Sequence, residues 1–153
     1  MPEEVFRLWL DDRIRANGWP PEGAGWDRIF FGRTSGFLKE LKWVKQLLVL
    51  TPEDFGPQSL ERAIEVLEAN VRHKDNALAK EVPGTHARFE SALDFIETHA
   101  ALPEPLVLLS TLEGYQICEG NHRAAAMLAA AARRGLPGFF PSRVEAWVGA
   151  IRA

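Results

Sequence analysis

The chain has 153 residues, enough for one domain with its own core and too few for two. Hydrophobic residues make up 46% and charged residues 25%, the balance of a soluble globular protein, and no apolar run reaches the roughly 18–20 residues of a membrane span. A formal net charge of -3 excludes blanket electrostatic attraction as the main mode of nucleic-acid binding and leaves room only for a local basic patch.

Residues 2–17 predict a first helix. Val5, Leu8, Trp9 and Ile14 share one face, and Asn17 and Gly18 stop it. Two prolines and two glycines between Trp19 and Gly25 forbid regular structure in the connector that follows. Residues 26–31 read as an apolar helical turn against the core. Gly32 to Gly36 is a polar break whose likeness to a phosphate loop is superficial, because no Gly-Lys-Ser/Thr follows. Residues 37–42 suit a helix and residues 43–50 a strand, since Trp43, Val44, Leu47, Leu48 and Val49 fit a pleated surface. Thr51-Pro52-Glu53-Asp54 then has the composition of a helix start: a capping hydroxyl, proline in the first turn and acids on the positive dipole end.

Residues 59–73 predict the most amphipathic helix, with Leu60, Ala63, Ile64, Leu67 and Val71 on its apolar face. The polar stretch Arg72-His73-Lys74-Asp75-Asn76 reads either as a solvated helix end or as a loop closing over phosphate groups. After a break at Val82-Pro83-Gly84, Thr85 is expected to cap a helix over residues 86–99 that carries Phe89, Leu93, Phe95 and Ile96. Residues 106–111 and 115–118 predict a hairpin across the Leu112-Glu113-Gly114 turn. An alanine-rich helix follows from Asn121 to about Arg134, with Gly135 as its C-terminal cap, and residues 142–149 return as a last strand.

The stretch from Tyr115 to Leu128 carries the chemistry. A strand that turns through Glu119 and Gly120 into a helix leaves backbone N–H groups unpaired at the positive end of the helix dipole, which favours an anion. His122 and Arg123 sit in the first turn, where acids would suit the dipole better, and a bound phosphate offsets that conflict. Arg123 offers a bidentate fork for phosphate oxygens, with a surface arginine paired to an acid as the plainer reading. His122 is a candidate phosphate donor or proton shuttle. Gly120 permits close backbone approach, and Asn121 caps the helix or contacts the ligand. Glu119 has several open roles: holding Mg2+, accepting a substrate proton, orienting Arg123 or His122, or simply pairing with Arg123.

The run Glu119-Gly120-Asn121-His122-Arg123-Ala124-Ala125-Ala126, between a hydrophobic hairpin and a helix, resembles the signature of the ParB/sulfiredoxin-like superfamily. The resemblance covers residues 106–151, with a weaker echo at residues 43–55. It implies an α+β fold, a small mixed sheet with surrounding helices, and here an N-terminal helical extension over residues 1–42 ahead of a core over residues 43–153. It also implies that the Gly120–Arg123 turn holds the phosphates of a nucleotide, ATP or CTP, with or without Mg2+, and that Arg88 lines the nucleotide cleft. The reactive cysteine of sulfiredoxins directly precedes the His-Arg pair, a place held here by Asn121; Cys118 lies three residues earlier as a small strand hydrophobe, which argues against sulfinic acid reductase chemistry. No helix-turn-helix region follows the motif as it would in a partition protein. The function expected is nucleotide or phosphate binding, either in a phosphotransferase or nucleotide hydrolase with Glu119 and His122 as catalytic candidates, or in a non-catalytic ParB-like module that senses a nucleotide or engages DNA or a protein. A single cysteine and an acidic start without a signal pattern predict a reducing, cytoplasmic setting and no membrane partner.

Overall fold

In a computed structural model of the chain, residues 1–71 and 77–151 are described. The class is α+β, with one mixed sheet between two unlike layers. The strands β1 (Leu41–Val49), β2 (Leu106–Thr111), β3 (Gly114–Glu119) and β4 (Arg143–Ile151) lie in the order β1-β4-β2-β3. β4 runs parallel to β2 and antiparallel to β1, while β2 and β3 form the expected antiparallel hairpin. The β2 run is apolar at every step from Leu106 to Leu109 because both faces are covered. Leu106 and Leu108 face the helical layer, and Val107 and Leu109 face the N-terminal layer.

That N-terminal layer begins with a continuous helical segment over residues 3–17, α1, whose middle turn, Phe6–Leu10, is π-helical. It continues through α2 (Ala24–Ile29) and a 3-10 turn at Ser35–Lys39. Trp9, Trp26, Phe30 and Phe37 pack ring against ring at centroid distances of 5.2–6.1 Å and seal Val107, Leu109 and Cys118 from water. Each such buried aromatic contributes on the order of 2–3 kcal/mol. The aromatic residues of the extension are therefore core. Glu4 fastens α1 to the sheet: it accepts a 2.8 Å hydrogen bond from Trp147 Nε1 and pairs with Lys45 at 3.2 Å.

The other layer holds α3 (Pro57–Val71), the short α4 (Ala77–Glu81), α5 (Thr85–His99) and α6 (Asn121–Arg133). α6 packs on both α3 and α5. Its alanines explain how: Ala124, Ala125, Ala126, Ala129, Ala130 and Ala131 are all buried, and their small side chains let neighbouring helices approach closely. Gly135 follows the helix with φ 64, the left-handed position in which glycine ends helices.

Several local expectations shift. β1 starts at Leu41, so the helical expectation over residues 37–42 gives way to the 3-10 turn and the start of the strand. Thr51 does not open a long helix: Asp54 turns back to accept hydrogen bonds from the Thr51 N–H (2.7 Å) and hydroxyl (3.2 Å), closing one 3-10 turn at Pro52–Asp54. Phe55 then bridges to Tyr115 along the β3 edge before α3 begins at Pro57. The buried stripe of α3 is Ser59, Ala63, Val66 and Ala69, rotated from the predicted face; Ile64 and Val71 are exposed, because it is the alanine face of α6 that α3 meets. The polar stretch at residues 72–76, with its two readings, lies outside the described residues. Gly84 occupies the N-cap of α5, and the Thr85 side chain makes no cap hydrogen bond. Asn121 is likewise the first helical residue of α6 rather than its cap, a place taken by Gly120. No helix among the described residues is long and apolar enough to cross a membrane.

Candidate functional site

Gly120 joins β3 to α6 with φ 117, a conformation that L side chains rarely adopt. A Cβ there would lie 2.5 Å from Leu106 Cδ2 and 3.4 Å from Arg123 Nε. Close packing of this chain's own residues thus accounts for the glycine.

Arg123 turns inward. It is 8% exposed, and its Nη1 donates to the carbonyls of Glu104 (3.0 Å) and Pro105 (2.7 Å) while Nη2 lies 3.6 Å from Glu119 Oε1. Burial pulls its pKa down, and the carboxylates of Glu119 and Glu104 oppose that pull. The side chain ties the start of β2 to the first turn of α6.

The opposite side of that first turn faces a polar cavity of about 190 Å3. Three arginines from three helices reach it: Arg13 from α1, Arg62 from α3 and Arg88 from α5. Glu119, Asn121 and His122 complete its floor, with Thr85 beside them. Arg13 is committed to Glu119, 2.6 Å from Oε2, and Arg62 pairs outward with Glu65 at 3.0 Å. Arg88 is exposed and has no hydrogen-bond or ion-pair partner among the described residues. Of the residues singled out from sequence, Glu119, Asn121, His122 and Arg88 meet at this cavity, whereas Gly120 and Arg123 lie behind its floor.

His122 shares a 2.8 Å hydrogen bond between Nε2 and the hydroxyl of Thr85, a residue only 1% exposed. The Thr85 hydroxyl therefore orients the imidazole instead of capping α5. Burial, and then the nearby Arg88 charge, push the His122 pKa down to about 4, with Glu119 opposing. The ring is neutral near pH 7. Asn121 Oδ1 is buried without a hydrogen-bond partner, an uncommon cost for a buried polar atom.

Mg2+ requires free oxygen ligands, usually one or two carboxylates beside the substrate's phosphates. The cavity has one carboxylate, Glu119, and two guanidiniums already hold it. Among the described residues no cluster of three or more His, Cys, Asp or Glu side chains is placed to hold a metal. The donor set does not fit this ion. Cys118 is no more reactive: it is 5% exposed, and burial pushes its thiol pKa well up, which withholds the thiolate.

Sequence reasoning missed Arg13, Arg62 and Thr85. Arg13 and Arg62 carry no local signal, since each lies on the polar side of an amphipathic helix, and only the tertiary fold joins them. A second cavity of about 360 Å3, between α3, α5 and α6, is lined mainly by Ile64, Leu67, Val71, Phe89 and Leu93. Glu68 and Arg133 are its charged lining residues, whereas the smaller cavity gathers three arginines, a histidine, an asparagine and a carboxylate and is the candidate site. No family model, no curated protein and no solved structure matches the chain.

Proposed function

We propose that the polar cavity binds the phosphate end of a nucleotide or of a small phosphorylated molecule, in a protein of the ParB/sulfiredoxin-like kind. One observation carries the reading: Arg88, without an ion-pair partner among the described residues, converges with Arg13 and Arg62 on the N-terminal turn of α6. An unpaired guanidinium beside free helical N–H groups attracts an anion, and its fork favours phosphate oxygens. His122, with Nε2 engaged by Thr85, has Nδ1 left for the ligand. Asn121 lies at the same floor. In this reading Arg123 works from behind, holding the turn to Pro105, and makes no phosphate contact.

The cavity's volume, about 190 Å3, falls below the roughly 300–1,000 Å3 of sites that enclose a drug-sized ligand. It therefore takes the phosphates and leaves the base or the rest of the molecule outside. Binding without turnover, as in a nucleotide-sensing module, is favoured because Glu119 is held by two arginines and is not free to act as a base. Phosphoryl transfer or nucleotide hydrolysis is the second reading, and the neutral His122 ring is the observation behind it.

Calorimetric titration of the wild type and of Arg88→Ala with ATP, ADP, CTP and ribose 5-phosphate tests the proposal. Saturable binding weakened at least about tenfold by Arg88→Ala is expected, the loss of one charge-assisted contact. Absence of saturable binding by any of the four at millimolar concentration overturns it. Product analysis of the same mixtures separates the two readings.

A further inference from the structure

Nucleotides usually reach proteins as Mg2+ complexes, yet the cavity's charges suit a different species. We infer, resting on the phosphate reading above, that this site takes a phosphate group free of metal, as a dianion neutralised by arginine alone. The charge inventory is the argument. Arg13, Arg62 and Arg88 at the cavity, with Arg123 behind it, bring four positive charges, and their partners Glu119 and Glu65 bring two negative charges, leaving two net positive charges. His122 adds none near pH 7, because burial holds its ring neutral. A phosphate monoester carries close to two negative charges at that pH. The two inventories cancel.

A divalent cation accompanying the phosphate would double the positive excess and find no unpaired carboxylate at the cavity. Glu119 Oε2 lies 2.6 Å from Arg13 and Oε1 lies 3.6 Å from Arg123, so recruiting either oxygen separates a formed ion pair. The Thr85 hydroxyl is bonded to His122, and the Asn121 Oδ1 atom is buried. Glu119 is then a clasp that draws Arg13, from the N-terminal layer, to the edge of the site. The preferred ligand is a terminal phosphate monoester, or the uncomplexed end of a di- or triphosphate.

The test is titration of the full chain with ADP, ATP and ribose 5-phosphate, each in EDTA and again in excess MgCl2, repeated with Arg88→Ala. The expected result is that ATP binds at least about tenfold more weakly once Mg2+ sequesters its phosphates, the cost of losing roughly one charge interaction. Ribose 5-phosphate, a weak Mg2+ ligand, binds nearly alike in both buffers. Tighter binding of ATP in MgCl2 than in EDTA, lost in Arg88→Ala, refutes metal-free binding while leaving phosphate binding at this cavity intact. No binding in either buffer refutes both.

Discussion

His122 makes a prediction that needs no ligand. Its pKa falls from the ordinary 6.5 to about 4 in the folded protein, chiefly because the ring is buried. The unfolded chain therefore takes up this proton first as pH drops, and stability contributed by the neutral ring is complete above about pH 6.5 and lost progressively toward pH 4. Each pH unit across that interval is worth about 1.36 kcal/mol at most. At about pH 4.5 the ceiling is near 2.5 kcal/mol, and the ring's partial solvent access lowers the expectation to roughly 1.5–2 kcal/mol. His122→Gln removes the titration while keeping a polar side chain near Thr85. Urea unfolding of both proteins at about pH 7.5 and about pH 4.5 gives the comparison, with the carboxylates they share cancelling in the difference. The wild type should lose roughly 1.5–2 kcal/mol more than the variant over that range. Parallel losses would refute the claim that His122 is buried as a neutral group.

Arg123→Ala should destabilise the fold by on the order of 3 kcal/mol, because two carbonyls lose their donor and Glu119 loses one of its partners. In a chain of this length that lowers the midpoint of thermal unfolding by roughly 6–12 °C; a change within about 1 °C would place the guanidinium in solvent. Gly120→Ala should cost about 2–5 kcal/mol from positive φ and collision with Leu106, itself fully buried, and chemical denaturation reads it directly. Arg88→Ala should leave the midpoint unchanged within the roughly 0.5 kcal/mol typical of surface substitutions while weakening phosphate binding, so melting and titration together separate the ligand-facing arginine from the structural one.

Much of the fold was legible because it follows from local pattern. The continuous apolar run at Leu106–Leu109 and the short turn at Gly114 specify a hairpin, and the alanine run after Asn121 specifies a closely packed helix. Helix faces were read less well. Leu60, Ala63, Ile64, Leu67 and Val71 have the right spacing for one stripe, but α6 offers a surface of small residues, and Ala63, Val66 and Ala69 fit it with less bulk. Thr85 illustrates a different limit. A threonine after Gly84 looks like a cap, but its hydroxyl has a partner 37 residues away that no local rule foresees. At the candidate site, four residues singled out from sequence line one polar cavity, but which way Arg123 points was not legible.

That direction follows from the neighbours of the first turn of α6. A guanidinium there meets the positive end of the helix dipole, an unfavourable placement unless something negative answers it. The expected answer was an external phosphate. The fold supplies an internal one: the Glu104 and Pro105 carbonyls and the Glu119 carboxylate together satisfy Arg123. With Arg123 neutralised from within, Glu119 is turned toward Arg13 and Arg123 instead of toward the outward N–H groups of the turn. The cations that remain for a ligand come from other elements, Arg88 above all. In the proposed phosphate reading the turn provides geometry and the surrounding helices provide charge, so a variant that spares Arg123 but removes Arg88 should weaken phosphate binding at least about tenfold in a fully folded protein.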